Sequence, residues 1–165
     1  MDNKIYNLSR DVFFKATFSN AKILADFLSA YLGYSILSSQ IEYLRVDSLD
    51  PILKNSRYDI YALVKSESEK TIVRLNLEMQ GYNENDLECR MISYESRIIL
   101  DDLVKGEGYN LNKCISLWIF SFIPSFINNK ETWIKKYNIK DENNNILNTN
   151  FEIGLILNLN SAYSE

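Results

Sequence analysis

The chain has 165 residues, 46% of them hydrophobic, which suits one domain with a sizeable core. Its 18 Lys and Arg stand against 22 Asp and Glu, a net charge of −4, which argues against a surface that grips nucleic acid throughout but leaves room for a local basic groove. Histidine is absent, which excludes Ser-His-Asp and Cys-His nucleophile systems, histidine bases and histidine-ligated zinc, and leaves hydrolysis to carboxylates, lysine, tyrosine or a hard cation held on oxygen.

Asp11 to Phe18 reads as a short helix with Val12, Phe13 and Phe14 apolar. Ser19 or Asn20 can cap a second helix, whose apolar residues Ile23, Leu24, Phe27, Leu28, Tyr31 and Leu32 recur at helical spacing before Gly33 stops it. From Arg57 to Lys65 and from Thr71 to Gln80 the period becomes two, and the polar stretch 66–70 joins these segments as a hairpin. A long helix follows from about Asn85 to Lys105, ending at Gly106. Ile115 to Ile123 is almost wholly apolar, the mark of a central strand buried on both faces, and Pro124 ends it. The Asn-rich segment 128–150 holds a turn at 141–145, and Phe151 to Leu159 resembles a last strand. Helices, hairpin, long helix, strand, hairpin and strand make a mixed α/β or α+β layer fold.

Centring the hairpin turn between Ser68 and Glu69 pairs residues whose numbers sum to 137. One face then holds Tyr58 opposite Met79, Ile60 opposite Leu77, Ala62 opposite Leu75 and Val64 opposite Val73, every pair apolar, as on a core face. The other face sets Arg57 against Gln80, Asp59 against Glu78, Tyr61 against Asn76 and Leu63 against Arg74. Like charges directly opposed destabilise a sheet, and a divalent cation between Asp59 and Glu78 would offset the repulsion. A solvated face, with Arg57 and Arg74 as neutralising neighbours, accounts for the same pattern, and pairing alone leaves the two readings open.

Cys89 and Cys114 have no C-x-x-C spacing, so neither a disulfide scaffold nor a structural zinc site is expected. The N-terminus has no apolar signal core, and no apolar run reaches the roughly 18 residues of a membrane span. A reduced, cytoplasmic protein without a membrane partner is expected.

An Asp on one strand followed by Glu-x-Lys, or a variant of it, on the next resembles the active-site signature of the PD-(D/E)XK nuclease superfamily; here it stands as Asp59, 18 intervening residues, then Glu78-Met79-Gln80. More narrowly, the chain resembles the bacterial recombination-promoting nuclease and transposase family. That family opens with a motif like D-x-x-F-K-x-x-F, matched by Asp11, Phe14, Lys15 and Phe18. An RxD strand, an ExQ strand, an R-x-x-x-Y helix and G-x-x-Y follow, with Arg57 and Asp59, Glu78 and Gln80, Arg90 and Tyr94, and Gly106 and Tyr109 as counterparts. Gln80 stands where the superfamily signature has lysine, and Tyr58 where it has proline.

The resemblance implies a restriction-endonuclease-like core, a central mixed sheet whose β-hairpin carries the site between flanking helices, in a single nuclease-like domain over 1–165 that is shorter at its C-terminal end than typical members. It implies a DNA endonuclease linked to recombination or transposition and using Mg²⁺, with Mn²⁺ able to substitute. Asp59 and Glu78 would hold the metal, helped by the backbone carbonyl of Met79, while Gln80 positions the attacking water. Asp11 would sit near the metal, or would be a first-turn carboxylate favoured by the helix dipole. Lys15, Arg90 and Tyr94 would bind DNA, with a solvated role open for Lys15; Arg97 is expected to pair with Asp101. The other reading is an inactive or truncated member that binds nucleic acid or protein as a regulator, and a third is a nuclease-like fold used for protein association. A homo-oligomer stays open.

Overall fold

The computed structural model describes residues 11–44, 58–66, 70–103, 108, 111–127, 134–147 and 150–157, and of Asp11 the backbone alone. In chain order the elements are α1 (Asp11–Phe18), α2 (Ala21–Leu32), a 3₁₀ turn (Ser38–Gln40), β1 (Ile41–Tyr43), β2 (Ile60–Lys65), β3 (Thr71–Gln80), α3 (Leu87–Asp102), β4 (Lys113–Phe120), β5 (Ile134–Tyr137) and β6 (Phe151–Ile156). Arg57, Gly106 and Tyr109 lie outside the described residues.

The local signals for α2 work as expected. The Asn20 side chain accepts hydrogen bonds from the backbone N–H groups of Lys22 (3.0 Å) and Ile23 (3.4 Å). Gly33 closes the helix with φ +80°, a left-handed conformation that glycine adopts without strain.

The strands form one six-stranded sheet in the order β1-β2-β3-β4-β6-β5. β1, β2 and β3 run antiparallel to their neighbours, β3, β4 and β6 run parallel, and β5 is antiparallel to β6. Helix α3 is the crossover between the parallel strands β3 and β4. The result is a mixed α/β layer consistent with a restriction-endonuclease-like core. The β2–β3 register is the expected one, with Ile60 opposite Leu77, Ala62 opposite Leu75 and Val64 opposite Val73, until it shifts at Lys65. These residues pack against Phe14, Phe18, Leu24, Leu28 and Tyr31 of α1 and α2.

The second face of the sheet is covered as well. Leu87, Met91, Tyr94 and Ile98 of α3 pack on Tyr61, Trp118, Phe120, Ile153 and Leu155. Asn76, Glu78 and Gln80 are therefore buried, which rules out the solvated face that was one of the two open readings. Tyr58 also departs from expectation. It lies before the start of β2 and packs with α3, at a ring distance of 5.3 Å from Tyr94, instead of facing Met79 in the first core. Beyond the last ladder pair no sheet fixes the alternation of side chains, so the period of two cannot place it.

β4 is buried on both faces from Cys114 to Phe120, as its apolar run predicts. The expected second hairpin is only an isolated bridge between Lys140 and Ile146 around the 141–145 turn, while the strand before it, β5, pairs with β6. Among the described residues, no helix is long and apolar enough to cross a membrane.

Candidate active site

The site lies where the β2–β3 ladder ends. Asp59 precedes β2 by one residue, and Glu78 lies near the carboxyl end of β3, the edge at which open α/β sheets collect their functional groups. Side chains take over from the ladder here. The Asp59 backbone N–H donates to Glu78 Oε1 at 3.1 Å, and the Met79 N–H donates to Asp59 Oδ2 at 2.9 Å. This reciprocal clasp holds the carboxyl groups together more firmly than cross-strand proximity would.

Each helical layer contributes a cation. From α1, Lys15 Nζ reaches Asp59 Oδ1 at 3.1 Å. From α3, an Arg90 guanidinium nitrogen lies 4.0 Å from Glu78 Oε2 while another donates to Glu84 Oε2 at 2.9 Å. The same guanidinium lies over the rings of Tyr94 (5.3 Å) and Trp118 (5.5 Å), within cation–π range of both.

Glu78 carries the main electrostatic tension. Its residue is 2% exposed. Burial, and then the charge of Asp59, push its carboxyl well above the usual carboxylate range, against the Asp59 N–H and Arg90, which favour the ionised form. Burial likewise raises the Tyr94 hydroxyl, and the Glu78 charge adds to it.

The structure brings Asp59, Glu78, Met79, Lys15 and Arg90 into one place. Met79 offers its N–H to Asp59. Gln80 sits beside them, but its side-chain amide donates to the Tyr82 carbonyl at 2.7 Å and so ties down the turn into α3. Tyr94 is 8% exposed, with its ring packed against Tyr58 and Trp118. Asp11 opens α1 one turn before Lys15, with its side chain outside the described residues. Asp101 receives the Tyr61 hydroxyl at 3.1 Å.

Sequence reasoning missed two contributors. Glu84 lies six residues before Arg90, a separation that matches no helical contact, and was invisible for that reason. Trp118 belongs to the segment expected as a buried central strand; it is core, and its ring also lies against the Arg90 guanidinium.

Among the described residues no group of three or more acidic or cysteine side chains is arranged around a metal. The donor set nonetheless fits a hard divalent ion, because Mg²⁺ keeps several waters and needs only one or two carboxylates. The raised affinity of Glu78 for a proton comes first from its burial and then from the Asp59 charge beside it.

No match is found among curated proteins. The family model of the PD-(D/E)XK nuclease family transposases matches residues 8–164, nearly the whole chain, and the protein belongs to that family.

Proposed function

We propose that this protein is a metal-dependent DNA endonuclease that hydrolyses phosphodiester bonds during recombination or transposition, acting in the cytoplasm. The observation that carries the reading is the Asp59–Glu78 clasp: two carboxyl groups held together at a sheet end, one of them buried and biased toward protonation. Such strain has a use if a cation relieves it.

Asp59 and Glu78 would hold Mg²⁺, or Mn²⁺ in its place, with the Met79 carbonyl as a further oxygen donor. When bound, the ion lowers the pKa of a water and stabilises charge on the scissile phosphate. The chain's own residues supply the rest. The Asp59 N–H orients Glu78, the Met79 N–H orients Asp59, and Arg90, braced by Glu84, opposes the burial and the Asp59 charge that favour protonated Glu78. Gln80 rigidifies the turn beneath the site.

The test is nicking of supercoiled plasmid with Mg²⁺ or Mn²⁺ by the wild type, Asp59→Ala and Glu78→Ala. Loss of roughly 100-fold or more is expected in each variant, the scale seen when one charge-stabilising group is removed. Equal rates in all three would remove the assignment. The second reading, a binding protein descended from nucleases, draws on the engagement of the Gln80 amide by Tyr82. Calorimetric titration with Mn²⁺ separates the readings, since heat that vanishes in Asp59→Ala and Glu78→Ala belongs to a working site.

A further inference from the structure

Both Asp59 oxygens are engaged. Oδ2 accepts from the Met79 N–H at 2.9 Å, and Oδ1 faces the Lys15 ammonium at 3.1 Å. A cation approaching Oδ1 meets the positive charge of that ammonium and competes with it for the same oxygen.

The Lys15 stem and head are held differently. Phe14 and Phe18, at 1% and 7% exposure, anchor α1 in the core, and the Tyr43 hydroxyl donates to the Phe18 carbonyl at 2.7 Å, so the lysine backbone is fixed. The Lys15 side chain itself is 41% exposed against 14% for Asp59. Four rotatable bonds let the head group leave Asp59 while staying within the site.

The neighbouring groups cannot do the same work. Arg90 is braced by Glu84 and held over the rings of Tyr94 and Trp118. Gln80 is neutral, 4% exposed and bound to the Tyr82 carbonyl. Phosphodiester hydrolysis builds negative charge on the phosphate oxygens, and a cation that can reach them stabilises it.

We propose that Lys15 is a phosphate-binding cation that rests on Asp59 and is exchanged from it by the divalent ion, so that the lysine that neutralises the metal-free site becomes the one that contacts the scissile phosphate. The proposal rests on the nuclease reading above and gives Lys15 two successive partners.

The experiment compares wild type, Lys15→Met and Lys15→Arg by Mn²⁺ calorimetry without DNA, by binding to a short duplex in Ca²⁺ over a range of salt, and by plasmid cleavage at saturating Mn²⁺. Removing the competing ammonium should tighten Mn²⁺ binding in Lys15→Met by roughly three- to ten-fold, the range expected for one partly exposed ion pair against a doubly charged competitor. Lys15→Arg should stay near wild type. The slope of log affinity for DNA against log salt should fall by about one in Lys15→Met, as for one lost phosphate contact. Cleavage should fall by about 100-fold in Lys15→Met and recover in part in Lys15→Arg. Unchanged or weaker Mn²⁺ binding in Lys15→Met would overturn the exchange, and an unchanged salt slope with wild-type cleavage would overturn the phosphate contact. A wild type that binds Mn²⁺ and never cleaves sinks the nuclease reading instead, and the metal titration still decides whether Lys15 competes.

Discussion

Glu78 shows how a single side chain can serve function at the expense of the fold. It is buried beside a second carboxylate, and both burial and the Asp59 charge disfavour its ionised form. Replacing it with glutamine keeps the shape and an oxygen to accept the Asp59 N–H, while removing the charge. Glu78→Gln should therefore melt at a higher temperature than the wild type at neutral pH without metal. It should also lose the extra stability that saturating Mn²⁺ gives the wild type, because only a folded site binds the ion. Thermal melts with and without Mn²⁺ read both effects, and a lower melting point in the metal-free variant would show that the carboxylate is structural.

How much of each element the sequence disclosed follows from what was repeated along it. The β2–β3 register was legible because three apolar pairs, Ile60–Leu77, Ala62–Leu75 and Val64–Val73, agree on one sum, and that sum brought Asp59 to Glu78. The residues Asn20 and Gly33 marked the ends of α2 by their own chemistry. β1 was missed because three residues, Ile41 to Tyr43, are too few to show a period. The covering of the polar face by α3 was also hidden, since the buried charges there look like a solvated row until their partners are known. Arg74 is the clearest case: its Nε lies 3.1 Å from Asp102 Oδ1, and another of its nitrogens donates to the Tyr61 hydroxyl at 3.2 Å. Asp102 in turn accepts from the Asn112 backbone N–H at 2.6 Å and its side-chain amide at 2.8 Å. One carboxylate thus joins β3, the last turn of α3 and the approach to β4. Asp102→Ala leaves Arg74 largely buried without its counter-charge, so unfolding in urea should show a loss of about 3 kcal/mol, far beyond the change of under about 0.5 kcal/mol typical of a surface site.

Burying both faces of a sheet encloses polar groups on a scale that governs the whole molecule's response to pH. Glu95 is the plainest instance outside the active site. It lies on α3 with no exposed surface, and burial, with a smaller contribution from the Glu152 charge, pushes its carboxyl from 4.5 up to about 8, while a backbone contact at Glu152 opposes the shift. Between those values the folded protein keeps a proton that the unfolded chain has released, so the folded state binds more protons and stability must fall as pH rises. The loss begins near the unfolded value and is complete once pH exceeds the folded one, with a slope of at most about 1.4 kcal/mol per pH unit. Glu78 shifts in the same direction and acts in the same sense. Glu95→Gln should thus flatten the curve in part, matching the wild type near pH 4.5 and exceeding it by an amount on the order of a few kcal/mol at pH 8. Urea unfolding at a series of pH values measures this directly. Parallel curves for the two proteins would mean that Glu95 ionises inside the fold without penalty, and the pH response would then have to come from other groups, Glu78 among them.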